Sequence, residues 1–148
     1  LWDAFGLREA LETYAVEVAI SKAKREDFNL LKEKIIEYEN YQPSYYDRKK
    51  MFLDAAFHIQ IAAITENKVL KWHLKTNLEH VYLRAKLKDY DTNRMTKASA
   101  EHRMLIKQMK DRDILGSVET IRSHIKSSKN YVIACFSKKE NDVEEYVL

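Results

Sequence analysis

The chain has 148 residues, with 26 Lys and Arg against 23 Asp and Glu, for a formal charge of +3. That length suits one domain with its own core, and so even a charge balance argues against nucleic-acid binding by this stretch. Two glycines and one proline are too few for the repeated tight turns of a β-sandwich or barrel, and no apolar run approaches the roughly 18 residues of a membrane span.

Six helices are expected in chain order. The first runs from about Asp3 to Ala23, with Ala4, Leu7, Leu11, Tyr14, Ala15 and Val18 on one stripe. The second spans Arg25 to Tyr41, carries Phe28, Leu31, Ile35 and Tyr38, and stops before Pro43. The third is expected to be capped by Ser44 and to reach Thr65. The fourth starts after the cap Asn67 and runs to about Leu87. It is apolar on two sides, with Leu70, Leu74, Leu78, Val81 and Ala85 on one and Val69, Trp72, Leu83 and Leu87 on the other, so it is either central or part of a subunit interface. A polar loop over 88–93 leads to a fifth helix from Met95 to Arg112, and Asp113 caps a sixth that reaches at least Phe136. The last dozen residues, rich in Lys and Glu, are expected to fray. Short connections make neighbouring helices antiparallel.

The chain opens at Leu1-Trp2-Asp3, without an initiator methionine and almost directly into a helical pattern, and reads as an excised domain. No signal peptide is visible. The single cysteine, Cys135, can form no internal disulfide, which fits a cytoplasmic location.

Chemistry concentrates on the apolar faces. Asp54 and His58 lie one turn apart on the third helix, among Met51, Phe57, Ile61 and Ala62. His102 falls among Ala98, Leu105, Ile106 and Met109 on the fifth helix, and His124 beside Ile121 and Val132 on the sixth. An inward carboxylate and three inward imidazoles are costly unless something satisfies them. One divalent ion can do so, since neutral imidazole with carboxylate is a common ligand set for zinc, nickel, cobalt or iron. The alternative is that each histidine is hydrogen-bonded within the core, with Asp54 and His58 forming an i, i+4 pair. On the fourth helix His73, Asn77, His80 and Arg84 form a polar stripe that is either solvated or the wall of a cavity. Arg8, at the edge of the first apolar face, is either a surface partner of Glu12 or a guanidinium fork for a carboxylate.

These residues occur in a known order. Leu7-Arg-Glu-Ala-Leu-Glu12, Asp54-x-x-Phe57-His58, Asn67 opening a helix, Glu101-His102, Asp113 and His124 together resemble the FCD domain, the C-terminal effector domain of GntR-type (FadR-like) transcription regulators. The resemblance covers essentially all of residues 1–148, with 44 residues from His58 to His102 and 22 from His102 to His124. It implies an all-α antiparallel bundle of six to seven helices around a central ligand and metal cavity. In the metal-binding branch, one Asp and three His hold a divalent cation, which maps onto Asp54, His58, His102 and His124. Such domains sense small organic acids, and Arg8 is the arginine that would assist. Asn77 and Arg84, the members of the polar stripe nearest the core, are candidate further effector contacts if that stripe walls a cavity. Lys24, Gln108 and Arg112 depart from the usual threonine, alanine and glycine. The family's N-terminal winged helix-turn-helix has no counterpart here, so DNA binding is expected of the parent protein alone.

The expected function is therefore effector sensing, without catalysis: zinc or nickel (manganese or iron as alternatives) plus a small carboxylate, in a homodimer, modulating DNA binding by the missing domain. Two rivals stand beside it. One is a metal-dependent hydrolase, for which Asp47 is the best spare base. The other is a structural helical module that holds no metal.

Overall fold

In the computed structural model, residues 1–85 and 92–144 are described, with side chains as far as residue 135. The described residues form six α-helices: α1 (Trp2–Lys22), α2 (Arg25–Asn40), α3 (Arg48–Ile64), α4 (Lys68–Arg84), α5 (Thr92–Lys110) and α6 (Ile114–Glu144). No described helix is long and apolar enough to cross a membrane.

The helix ends follow from side-chain caps. Asn67 accepts the Leu70 N–H at 2.9 Å and Asp113 accepts the Gly116 N–H at 2.9 Å, so both expected caps form. A Cβ on Gly116 would stand 2.1 Å from the Asp113 carboxylate, so glycine is what lets that cap close over the first turn. The start of α3 differs from expectation. Asp47, not Ser44, is its cap: one oxygen takes the Lys50 N–H at 2.8 Å and the other accepts the Tyr41 hydroxyl. A carboxylate can hold two donors at once, and Ser44 offers a single hydroxyl. The Lys50 ammonium turns back onto the carbonyls of Tyr38 and Tyr41, closing the open end of α2. Arg112 adopts a left-handed φ of 54°, the conformation that favours the glycine of the resemblance. Its guanidinium donates to the Ile20 carbonyl at 3.1 Å and ties this turn to α1.

Four further boundaries are corrected. α4 ends at Arg84, and α5 starts at Thr92 and ends at Lys110; the rest of the expected loop, 88–91, and Leu87 lie outside the described residues. α6 is helical to Glu144, well into the segment expected to fray.

α1 is the hub. It packs against α3, α4, α5 and α6, while α2 is held by α3 and α5, and α5 by α6. Its small residues Ala15 and Ala19 are buried, which lets neighbouring backbones come close. α4 packs on α1 and α3, so it is not central. Its stripe of Leu70, Leu74, Leu78 and Val81 is buried, whereas Val69, Trp72 and Leu83 are about two-thirds exposed at 67 %, 62 % and 60 %.

Candidate metal centre

Asp54 and His58 leave α3 one turn apart, His102 comes from α5 and His124 from α6; all four are buried. One ligand atom from each lies within 4.8 Å of all the others. The ring centroids stand 5.3 Å apart for His58 and His102, 5.0 Å for His58 and His124, and 4.9 Å for His102 and His124.

Outer partners aim these ligands. Glu12 Oε2 lies 2.5 Å from His58 Nδ1, and Glu101 Oε2 lies 2.6 Å from His124 Nδ1. An ionised carboxylate can only accept, so Nδ1 carries a proton on both rings and Nε2 faces the centre. Arg8 Nε donates to Glu12 Oε1 at 2.6 Å, and Arg94 Nη1 donates to Glu101 Oε2 at 3.0 Å. The Tyr82 hydroxyl donates to Asp54 Oδ2 at 2.5 Å. Tyr38 of α2 meets the His102 ring edge-on, with centroids 5.5 Å apart. Every one of the six helices therefore sends a side chain to this centre.

Electrostatics separates the groups. Burial opposes the Asp54 charge, yet His58 and His102 hold its carboxyl well below the usual range. Burial likewise opposes Glu12, but His58 and Arg8 bring it to about 2. Burial alone would push His58 down; Glu12 and Asp54 overcome it and raise the imidazole to about 9. His124 goes the other way, to about 3: burial dominates, the Glu101 bond offsets part of it, and the neighbouring His102 and His58 add to the fall. His102 is also lowered, chiefly by burial.

Seven buried side-chain atoms among the described residues have no hydrogen-bond partner, and four of them belong to this cluster: Asp54 Oδ1, both nitrogens of His102, and His124 Nε2. His102 Nε2 stands 3.2 Å from Asp54 Oδ1 without the alignment of a hydrogen bond. Unsatisfied buried polar atoms cost about 1–3 kcal/mol each, and here Asp54 Oδ1, His124 Nε2 and a His102 nitrogen converge. Ligands about 2.1 Å from one ion stand roughly 3.4 Å apart in a tetrahedron and up to roughly 4.2 Å apart when opposite each other, so the outermost pair would close by roughly 0.6 to 1.4 Å on binding an ion. The residues fit a divalent cation. Carboxylate with neutral imidazole suits zinc, nickel and iron, and the Glu12–His58 and Glu101–His124 pairs are the outer bonds that metal-ligating histidines use.

The FCD domain family matches residues 3–127. The chain belongs to the FCD domain family. Two solved structures are similar in fold: a GntR-family transcriptional regulator from Pseudomonas syringae pv. tomato (TM-score 0.73, 18 % identity, covering 95 % of this chain and 58 % of that one) and the GntR of Streptococcus agalactiae (TM-score 0.72, 21 % identity, 86 % and 57 %). This FCD chain thus spans under two-thirds of either regulator. No curated protein matches it.

The other expected contacts fall in different places. Arg8 reaches the centre, with Nη2 3.3 Å from His58 Nε2. Its pair with Glu12 is 1 % and 3 % exposed, which overturns the surface-bridge alternative. The FCD bundle does not bring Asn77 or Arg84 to the cluster: Asn77 is buried but donates to the Ala4 carbonyl at 3.0 Å, and Arg84, like His73 and His80, is exposed. Asp47, the spare base of the hydrolase reading, is occupied in capping α3. Sequence reading gave no role at the centre to Tyr82 or Arg94, met Glu101 only within the family motif, and met Glu12 only as a surface partner of Arg8. The signal for Glu12 was present, four residues after Arg8 on one face.

Proposed function

We propose that this chain is the effector-sensing domain of a GntR-family regulator, and that Asp54, His58, His102 and His124 hold one divalent transition metal there, of the zinc or nickel kind with manganese or iron as alternatives. The observation that carries this reading is the set of four buried ligand atoms within 4.8 Å of one another, several of them unpartnered. The ion would supply a positive centre with positions open to a small carboxylate. Arg8 would hold the carboxylate's second oxygen. Asn77 and Arg84 were expected beside it, but their observed positions give that role no support.

Ligands on α3, α5 and α6, with outer partners on α1 and α4, make the packing of the bundle sensitive to what occupies the centre. A ligand that favours one packing would bias a DNA-binding domain attached before Leu1 through α1, and would do so only by its differential affinity. Such a regulator works in the cytoplasm, without catalysis. The exposed Val69, Trp72 and Leu83 of α4 are the surface we assign to a homodimer.

The test is metal analysis of protein purified without an affinity tag, with melting measured before and after chelation. One equivalent of metal and a lower melting temperature after chelation are expected. His102→Ala should lose the metal and melt lower. Full occupancy and unchanged melting in that variant would refute the four-ligand centre.

A further inference from the structure

We propose that the Tyr38 phenol is a further effector contact, the uncommitted hydrogen-bond donor that meets the carboxylate held at the metal. The inference rests on the metal reading above and adds a binding residue, on α2, to it.

The other buried donors around the centre already have acceptors inside the bundle. The Tyr82 hydroxyl donates to Asp54, Arg8 Nε to Glu12, and Arg94 to Glu101 and Ser128. The Lys50 ammonium donates to the carbonyls of Tyr38 and Tyr41. The Tyr38 hydroxyl is buried and has no acceptor. Asp54 Oδ1, also unpartnered, is the oxygen that a metal would take. A phenylalanine in place of Tyr38 would fill the same space against His102 and leave no buried polar atom unsatisfied. The hydroxyl therefore carries a cost that the empty bundle does not offset.

Its surroundings suit an arriving anion. The Tyr38 ring meets the His102 ring edge-on, with centroids 5.5 Å apart, so the residue borders a metal ligand. Burial, Asp54 and Glu101 push the phenol's pKa up; Tyr46 and Arg94 offset part of that rise, and Tyr46 is not placed as an acceptor. The group stays a neutral donor. The ring is also held in advance. Lys50 Nζ stands 3.6 Å from its centroid, and Lys50 is itself fixed through its backbone N–H, which the Asp47 cap accepts. A donor fixed beforehand loses little freedom when its acceptor arrives, and a hydrogen bond from O–H to a carboxylate is of the strong kind. Arg8 would meet the acid from the His58 side of the centre, where Nη2 lies 3.3 Å from Nε2, and Tyr38 from the His102 side. Tyr82, whose hydroxyl is taken by Asp54, supports the ligand set instead.

The experiment contrasts these two tyrosines. The chain is loaded with cobalt(II), freed of excess and titrated with acetate and propionate at constant ionic strength. The cobalt absorption spectrum reports acid at the metal, and a competing chelator reports metal affinity. Tyr38→Phe should hold cobalt as the unaltered chain does, melt no lower without acid, and bind acetate at least ten-fold more weakly. Tyr82→Phe should do the reverse, losing at least ten-fold in cobalt affinity. The proposal is overturned by unchanged acetate affinity in Tyr38→Phe, by loss of cobalt from that variant, or by an equal loss of acetate affinity in Tyr82→Phe. Cobalt-loaded unaltered protein that binds neither acid also overturns it. Each of these results leaves the metal centre standing, whereas failure of the unaltered chain to retain cobalt through gel filtration overturns both.

Discussion

Two chains of identical composition flank the centre, and they behave in opposite ways. On one side Arg8, Glu12 and His58 run from α1 to α3; on the other Arg94, Glu101 and His124 run from α5 to α6. The distances agree closely, yet His58 is raised to about 9 and His124 lowered to about 3. Two differences explain it. His58 faces two carboxylates, Glu12 and Asp54, whereas His124 bonds to Glu101 alone and sits beside two other imidazoles. The Glu12 side chain is 3 % exposed and that of Glu101 27 %, so water screens the second pair and not the first. Residue type sets what a relay can do; burial and the next neighbour set which way it leans.

The sharpest way to break this comparison is to remove each acid in turn. Glu12→Ala leaves Arg8 buried without its partner and should cost about 3–5 kcal/mol, read by urea denaturation of chelated protein. Glu101→Ala leaves Arg94 with the Ser128 hydroxyl at 3.0 Å and the His124 carbonyl at 3.4 Å and should cost about 1–2 kcal/mol. Equal losses would mean that burial does not distinguish the two sides.

The pH dependence of chelated protein sharpens it further. His58 is raised from an ordinary 6.5, so its contribution is full below pH 6.5 and is lost as pH rises through 9. His124 is lowered from 6.5, so its contribution is present above 6.5 and is lost as pH falls toward 3. Below 4.5, Glu12 adds an acid loss of its own, so the imidazole limb is read between pH 6.5 and 4.5, where His102, also lowered, contributes beside His124. His58→Gln should flatten the alkaline limb of melting temperature against pH, and His124→Gln should reduce the acid limb while leaving the part due to His102. The reverse assignment would sink the electrostatic account. The smallest effect is expected from Ser128→Ala, which takes one acceptor from Arg94 and should cost about 0.5–1 kcal/mol in denaturant melts, with His58 titration unmoved.

The four central residues were legible in the sequence because each sits on an apolar helical stripe, and an ionisable group there demands a partner. What surrounds them was harder to read. Glu101 follows Ala100 and precedes His102, about 100° round the helix from it, and so falls off the inward stripe; it meets His124 because α5 and α6 pack side by side. Tyr82 shares its turn with buried Val81, and nothing in its own neighbourhood announces Asp54, 28 residues away. Arg94 lies in the first turn of α5, where the helix was not yet expected to have begun. Local chemistry also decided the start of α3: both Ser44 and Asp47 can cap, and Tyr41 selects Asp47 by donating to its second oxygen. The second apolar stripe of α4 was read correctly as a stripe; its outward direction depends on α1 and α3 covering the opposite side.

Because α1 through α6 all end a side chain at one point, no helix can loosen without disturbing the others there. Chelation should then weaken the whole domain evenly, and heating the stripped protein should give one sharp transition at lower temperature, with no stage at which a corner has melted and the remainder stands.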